Sequence, residues 1–511
     1  MKIMSIKRLF GKYGNSLTAV LLVIVLSACG VGVQKGAKLT DEQKSRIAQE
    51  TGPITVEKLF GYVKKLSSKE YAGRLTGTPE YRACANWMAS LFEEWGIKPG
   101  GENSTYLQSF PNPYTIVFVG GELSYLYRSG GRQRKKQYVY EKEYYPGSQS
   151  GDGRLTAEVV YVGYGITAPE MNYDDYADVN VSGKIVLVEP GAPISAEENP
   201  ALFKDWKPYA FNQYKVKMAV AHGARGMLIN NLTVNADIDY VQNFMVAQAG
   251  NAVVNDLFAG TGKTHQEILD AIKNTLTPQS FRTRKTFLIE NYTEHHKNGT
   301  GYSVLGLIEG SDPILKDEVI IVGANLDHVG FCYEIIPGAN DNASGAAVLL
   351  GAAETMAQSL IKPRRSALFI GFGSKEQAFR GSETYLKNPL FPRDKTVAFI
   401  DLSMVGCGDV IQAKGAQDYP EIWKHISRAI TKNGLHPVEE QSYSNPGLPE
   451  YDGDIFLGKK IPSFIFTVTG APTYPHTTKD TASTLTPDIL ADLARILYYG
   501  VLELANTDQK F

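Results

Sequence analysis

Two acidic residues and one imidazole, each just after a candidate strand, offer the clearest chemistry in this sequence. Asp341 lies in VIIVGANLDHVGFCYEIIPGANDNASG, between an apolar β-branched run at 319–326 and a helix predicted from 342–344 onward. Glu376 lies in FGSKEQAFRGS and His476 in GAPTYPHTTKDT. A carboxylate between a strand's C-terminal end and a helix N-terminus sits where open α/β sheets place their ligands. Two carboxylates and an imidazole from separate strand ends suit a zinc ion, which takes O and N donors and leaves a position for water. Each residue alone also has a plainer role. Asp341 could belong to a polar turn capped by Asn342 or Ser344. Glu376 could face a helix dipole, and His476 could be a surface histidine after a Pro-rich turn. The same strand ends also carry Asn325, Asp327 and His328, then Lys375, then Ser403 in FIDLSMVGCG.

Elements that would position these groups are legible around them. Strands are predicted at 302–308, 319–326, 366–373, 396–402 and 463–469, and helices between them include 420–433 and 487–505. The implied fold class is α/β, a mixed twisted sheet with helices on both faces. Upstream, 40–65 reads as helical, and a helix starts at Pro79 with Ala83, Trp87, Leu91 and Trp95 at helical spacing. Between them the texture is β-rich: ELSYLYR, QYVYEKEYY and AEVVYVGYGI, then a buried strand, KIVLVEPG. The pattern YVGYGI, YDDYADVNVSGKIVLV and HGARGMLI resembles a protease-associated (PA) domain over 157–230. The expected organisation is 1–28 signal peptide, 29–45 tether, 46–115 and 291–511 one peptidase-like domain, and 116–290 a PA-like insertion.

Composition sets the frame. With 511 residues the chain is too long for one core. Its 43% hydrophobic and 21% charged residues are ordinary for a globular protein, and a net charge of −2 gives no sign of a nucleic-acid partner. Lys2, Lys7, Arg8 and Lys12 precede a short apolar run that ends in Leu26-Ser27-Ala28-Cys29. That segment resembles a bacterial lipoprotein signal, which implies a lipid on Cys29 and a cell-envelope location outside the cytoplasm. Of the other cysteines, Cys84 reads as a small buried residue, and an exported protein could pair Cys332 with Cys407.

The blocks around the site resemble the aminopeptidase Y-type zinc metallopeptidase family, relatives of bacterial leucyl aminopeptidase, glutaminyl cyclase and the transferrin receptor ectodomain. The family pattern runs roughly AHxDHxG, PGANDNASG, FxxGEExGLxGS, NxDMxG and YHTxxDT, and here covers 40–110 and 301–505. The resemblance implies that Asp341, Glu376 and His476 keep three metal-ligand positions. It places Asn325 and Ser403 where the private ligands of a second metal stand, and Lys375 where the general-base Glu stands. Asp327 and Asp452 fall in supporting positions, and Gly453 replaces a family His. One zinc is therefore expected, with the Lys375 ammonium beside Asp341 or Asp327 in place of a second cation. Protonated Lys375 cannot accept a proton, so His328 or Glu334 is left as a substitute base. The implied activity is an aminopeptidase-like hydrolysis of peptide N-termini with an altered site. A non-catalytic peptide- or glycan-binding lipoprotein and a cyclase- or amidase-like single-zinc enzyme are the alternatives.

Overall fold

The computed structural model describes residues 41–511; the expected signal peptide, Cys29 and most of the expected tether lie outside the described residues. A nine-stranded sheet forms the peptidase-like part. Its order is Lys98–Pro99, Thr300–Ile308, Ser366–Phe372, Val319–Asn325, Thr396–Leu402, Ser463–Gly470, Gly408–Lys414 and Val438–Gln441, with Leu107–Pro111 also paired to Thr300–Ile308. The four strands from Ser366–Phe372 to Ser463–Gly470 are mutually parallel. Their C-terminal ends therefore share one edge, and the loops carrying Asp327, Lys375, Ser403 and His476 leave from it.

Buried parallel strands need apolar residues on both faces. In Val319–Asn325, Ile320 and Val322 join the core beneath helices Val56–Leu66, Ser344–Gln358 and Pro487–Asn506. Val319 and Ile321 alternate onto the opposite face, beside Leu368, Phe399 and Phe456. Helix Ser344–Gln358 is buried over almost all its length, which explains its run of Gly and Ala against the sheet.

A ten-stranded sheet forms the inserted part, built mostly from Tyr114–Ser129, Gly153–Tyr161, Ile185–Val188, Gly226–Ile229, Met245–Ala249 and Phe281–His296. Phe331–Cys332 and Glu334–Ile335 extend it from the peptidase side, through a pairing of Cys332 with Val117.

Several expectations change in detail. The helix expected over 40–65 is two helices, Asp41–Glu50 and Val56–Leu66, divided where Gly52 and Pro53 interrupt the pattern. QYVYEKEYY is no single strand: Arg132–Gln137 is an exposed edge strand and Tyr144–Pro146 pairs elsewhere. Strands Gly408–Lys414 and Val438–Gln441 carry too little alternation to stand out. Among the described residues no helix is long and apolar enough to cross a membrane. Cys84, Cys332 and Cys407 are buried free thiols, so Cys332 and Cys407 do not pair. The Cys407 thiol instead donates to the Thr484 carbonyl at 3.4 Å.

Candidate active site

Donor atoms of His328, Asp341, Glu376 and His476 lie within 4.8 Å of one another. His476 Nε2 is 3.4 Å from Asp341 Oδ2 and 3.1 Å from Glu376 Oε2. Zinc–ligand bonds of about 2.0–2.1 Å at a tetrahedral angle separate donors by about 3.3–3.4 Å. The three groups thus fit one zinc ion by donor type and by spacing. His328 Nδ1 stands slightly further out, 3.9 Å from the same Asp341 oxygen.

Each of the three groups is held by a neighbour. The Asp480 carboxylate accepts the backbone N–H of Asn340 at 2.8 Å and of Asp341 at 3.0 Å, which fixes the turn preceding helix Ser344–Gln358. Asp327 accepts the N–H groups of Lys375 and Glu376, both at 3.2 Å. His476 Nδ1 donates to the Val234 carbonyl at 2.6 Å. A carbonyl can only accept, so that bond fixes the tautomer and leaves Nε2 facing the cluster, as an orienting partner does for a metal ligand. Arg74, wholly buried, donates to the carbonyls of Leu326 at 2.9 Å and of Leu66, Pro337 and Gly338 at 2.8 Å. Backbone strain gathers here too: Ser374, Ala378, Phe379, Met404 and His476 all have positive φ.

Sequence reasoning missed three of these supports. Asp480 stood in TTKDT, four residues beyond His476, and could have been singled out. Arg74 gives no chemical signal in GRLTG, and a backbone carbonyl at Val234 gives none at all.

Lys375 faces the cluster. Its Nζ is 2.8 Å from Glu376 Oε1 and 3.9 Å from Asp341 Oδ1. Burial opposes its charge, but Asp341 and Glu376 outweigh burial and hold its pKa above that of an ordinary lysine. In return, Lys375 overcomes burial to keep Glu376 down at about 2 and Asp341 far below the usual carboxylate range. The ammonium is thus a fixed cation and no proton acceptor at neutral pH.

Asn325 and Ser403 are buried. The Asn325 side-chain oxygen accepts from Asn342 Nδ2 at 2.8 Å, and Asn342 Nδ2 also donates to the Leu402 carbonyl at 2.7 Å. A neutral amide network therefore occupies this corner. A Cβ at Gly453 would meet Ile465 at 2.6 Å, so this packing leaves no room there for an imidazole.

Asp327, Asp341 and Glu376 are not the only buried acids near Lys375. Asp401 and Asp452 also feel its charge, and Asp480 and Arg74 face Asp341. Burial, with Asp401 second, pushes Asp452 up to about 8, and burial pushes Asp401 to about 7. These two bring less negative charge at neutral pH than a residue count implies. Asp401 also accepts the Gly453 N–H at 2.7 Å. Glu334 is exposed on its two-residue strand and does not join the cluster. His328 is fully buried, and burial pushes its pKa to about 3, so the ring is neutral.

Residues 303–501 match the profile of peptidase family M28, and residues 155–256 that of the PA domain. The Pseudomonas aeruginosa (strain UCBPP-PA14) aminopeptidase is 25% identical over 358 residues, 69% of this chain. That match spans only 57% of the relative's own length. Among solved structures, the aminopeptidase from Aneurinibacillus sp. strain AM-1 superposes with a TM-score of 0.60 at 22% identity, covering 90% of this chain and 96% of that one. BSAP, a zinc aminopeptidase from Bacillus subtilis, gives 0.57 at 18% identity, covering 90% and 97%. At such identities the structures speak for the fold, and the profiles speak for the family. Residues 303–501 thus form a peptidase family M28 domain and residues 155–256 a PA domain, in a chain similar to aminopeptidases.

Proposed function

We propose that this protein is an aminopeptidase-like hydrolase of peptide N-termini that works with a single zinc ion and a weakened catalytic step. Asp341, Glu376 and His476 would hold the ion, and a lipid on Cys29 would tether the protein to the bacterial cell envelope. The observation that carries the reading is the close approach of His476 Nε2 to both carboxylates, at 3.4 and 3.1 Å, with Lys375 Nζ on their far oxygens. One dication and one ammonium share this acidic nest, and Asn325 and Ser403 offer no charged donor for a second ion.

A zinc ion bound here lowers the pKa of a bound water to about 7 and polarises a carbonyl. The chain's own groups then decide how well that chemistry proceeds. A base beside the ion normally takes a proton and returns it to the leaving amine. Lys375 stands in that place with its proton retained. It can stabilise a developing oxyanion, but it cannot receive a proton. Hydrolysis is slow on this account, and a peptide-binding role is the reading that remains if turnover proves absent.

Metal analysis of chelator-stripped protein reloaded with zinc tests the proposal. One zinc per chain is expected. Two would restore a second site, and none would remove the metal altogether. A second measurement reads the site directly. In the metal-free protein, burial works against the His476 charge, but Glu376 and Asp341 outweigh it and raise the pKa to about 10. At pH 7.5 zinc must displace that proton. Calorimetry in buffers of different ionisation enthalpy is expected to show about one proton released per zinc, and tighter apparent binding as pH rises. Binding without proton release would place the ion elsewhere.

A further inference from the structure

We propose that His328 is a fourth protein donor to the zinc, so that the resting site is coordinatively closed. This rests on the single-zinc reading and deepens it. His328 is wholly buried, yet neither of its ring nitrogens has a hydrogen-bond partner. Leaving such a group unpaired is unfavourable, and a ligand in the cluster removes that cost. The ring is placed for it. Its Nδ1 lies 3.9 Å from Asp341 Oδ2, the oxygen that His476 Nε2 approaches at 3.4 Å.

The ring is also clamped. Gly338, at φ +58°, lays the main chain against it, and a Cβ at 338 would fall 2.5 Å from His328 Cγ and Cδ2. On another side it meets His476 edge-on, with centroids 5.3 Å apart and planes at 81°. An adjustment of about half an ångström from 3.9 Å reaches the tetrahedral donor spacing of about 3.3–3.4 Å. Two imidazoles and two carboxylates then complete the sphere.

A closed four-donor sphere belongs to structural zinc, whereas a catalytic ion keeps a position for water. His328 thus impedes turnover separately from Lys375. It also ceases to be available as a substitute base.

The test uses the whole chain loaded with cobalt(II), whose visible absorption reports its donors. The unaltered protein's bands should hold when azide is added, and those of His328→Ala should shift. Zinc affinity should weaken about 100-fold in the variant, at least the loss that an orienting partner gives. X-ray absorption on the unaltered zinc protein needs no variant and should count two imidazoles. An equal azide response in the two proteins, an unchanged affinity, or a single imidazole overturns the proposal. Failure of the unaltered protein to take up zinc would instead overturn the single-zinc reading itself.

Discussion

The double variant Lys375→Glu/His328→Ala, saturated with zinc, is expected to hydrolyse an aminoacyl amide about a hundredfold faster than the unaltered protein, at the low end of what a general base contributes. The two changes address different obstacles. A carboxylate at 375 supplies an acceptor where an ammonium now sits 2.8 Å from Glu376. Like-charged neighbours raise its pKa, which suits a base working near neutrality. Alanine at 328 frees a coordination position. Either change alone leaves one obstacle in place, so each single variant should gain less than about tenfold. Steady-state kcat/KM for the four proteins decides the matter. If Lys375→Glu alone gives the whole gain, His328 obstructs nothing. If the double variant binds zinc and stays silent, the weakness of the site has another cause.

Arg74→Met should lower unfolding stability by about 3 kcal/mol, the low end of the cost of three unpaired buried carbonyls, since the Gly338 carbonyl keeps the Ala343 N–H. The side chain joins Leu66 at the end of helix Val56–Leu66, Leu326 beyond the central strand, and Pro337 and Gly338 before Asp341. Methionine fills similar volume without a donor. Lysine is no substitute, because a compact ammonium cannot reproduce the planar fork that reaches four oxygens. Urea unfolding in the presence of chelator, read as a shift of midpoint at constant slope, measures the loss. A change below about 1 kcal/mol would mean that the carbonyls find other partners.

Much of this site was open to a reader of the sequence. Strands that are buried on both faces announce themselves as apolar runs, so Thr396–Leu402 and Val319–Asn325 were legible almost to the residue. Once they are known to be parallel, their loops must meet at one edge. That is why Asp341, Glu376 and His476, up to 135 positions apart, gather around one point. The direction of Lys375 was also inferable, since a buried ammonium seeks carboxylates. Other features lay beyond reach because they depend on backbone or on distant packing. The orientation of His476 depends on a carbonyl, and no side-chain type encodes that. The placement of the His328 ring depends on the main chain at Gly338, ten residues away, lying against its Cγ and Cδ2. Asp401 and Asp452 meet only because a short helix, Asp452–Leu457, packs under the sheet.

The bond from His476 to Val234 has a wider consequence. One partner follows the last parallel strand, and the other belongs to the inserted domain, which joins the remainder through two chain crossings near 111–114 and 296–300. Swinging that domain outward would release the imidazole to rotate, and its grip on the ion would loosen. The orientation of a ring that follows a peptidase strand is therefore set by where the inserted domain sits.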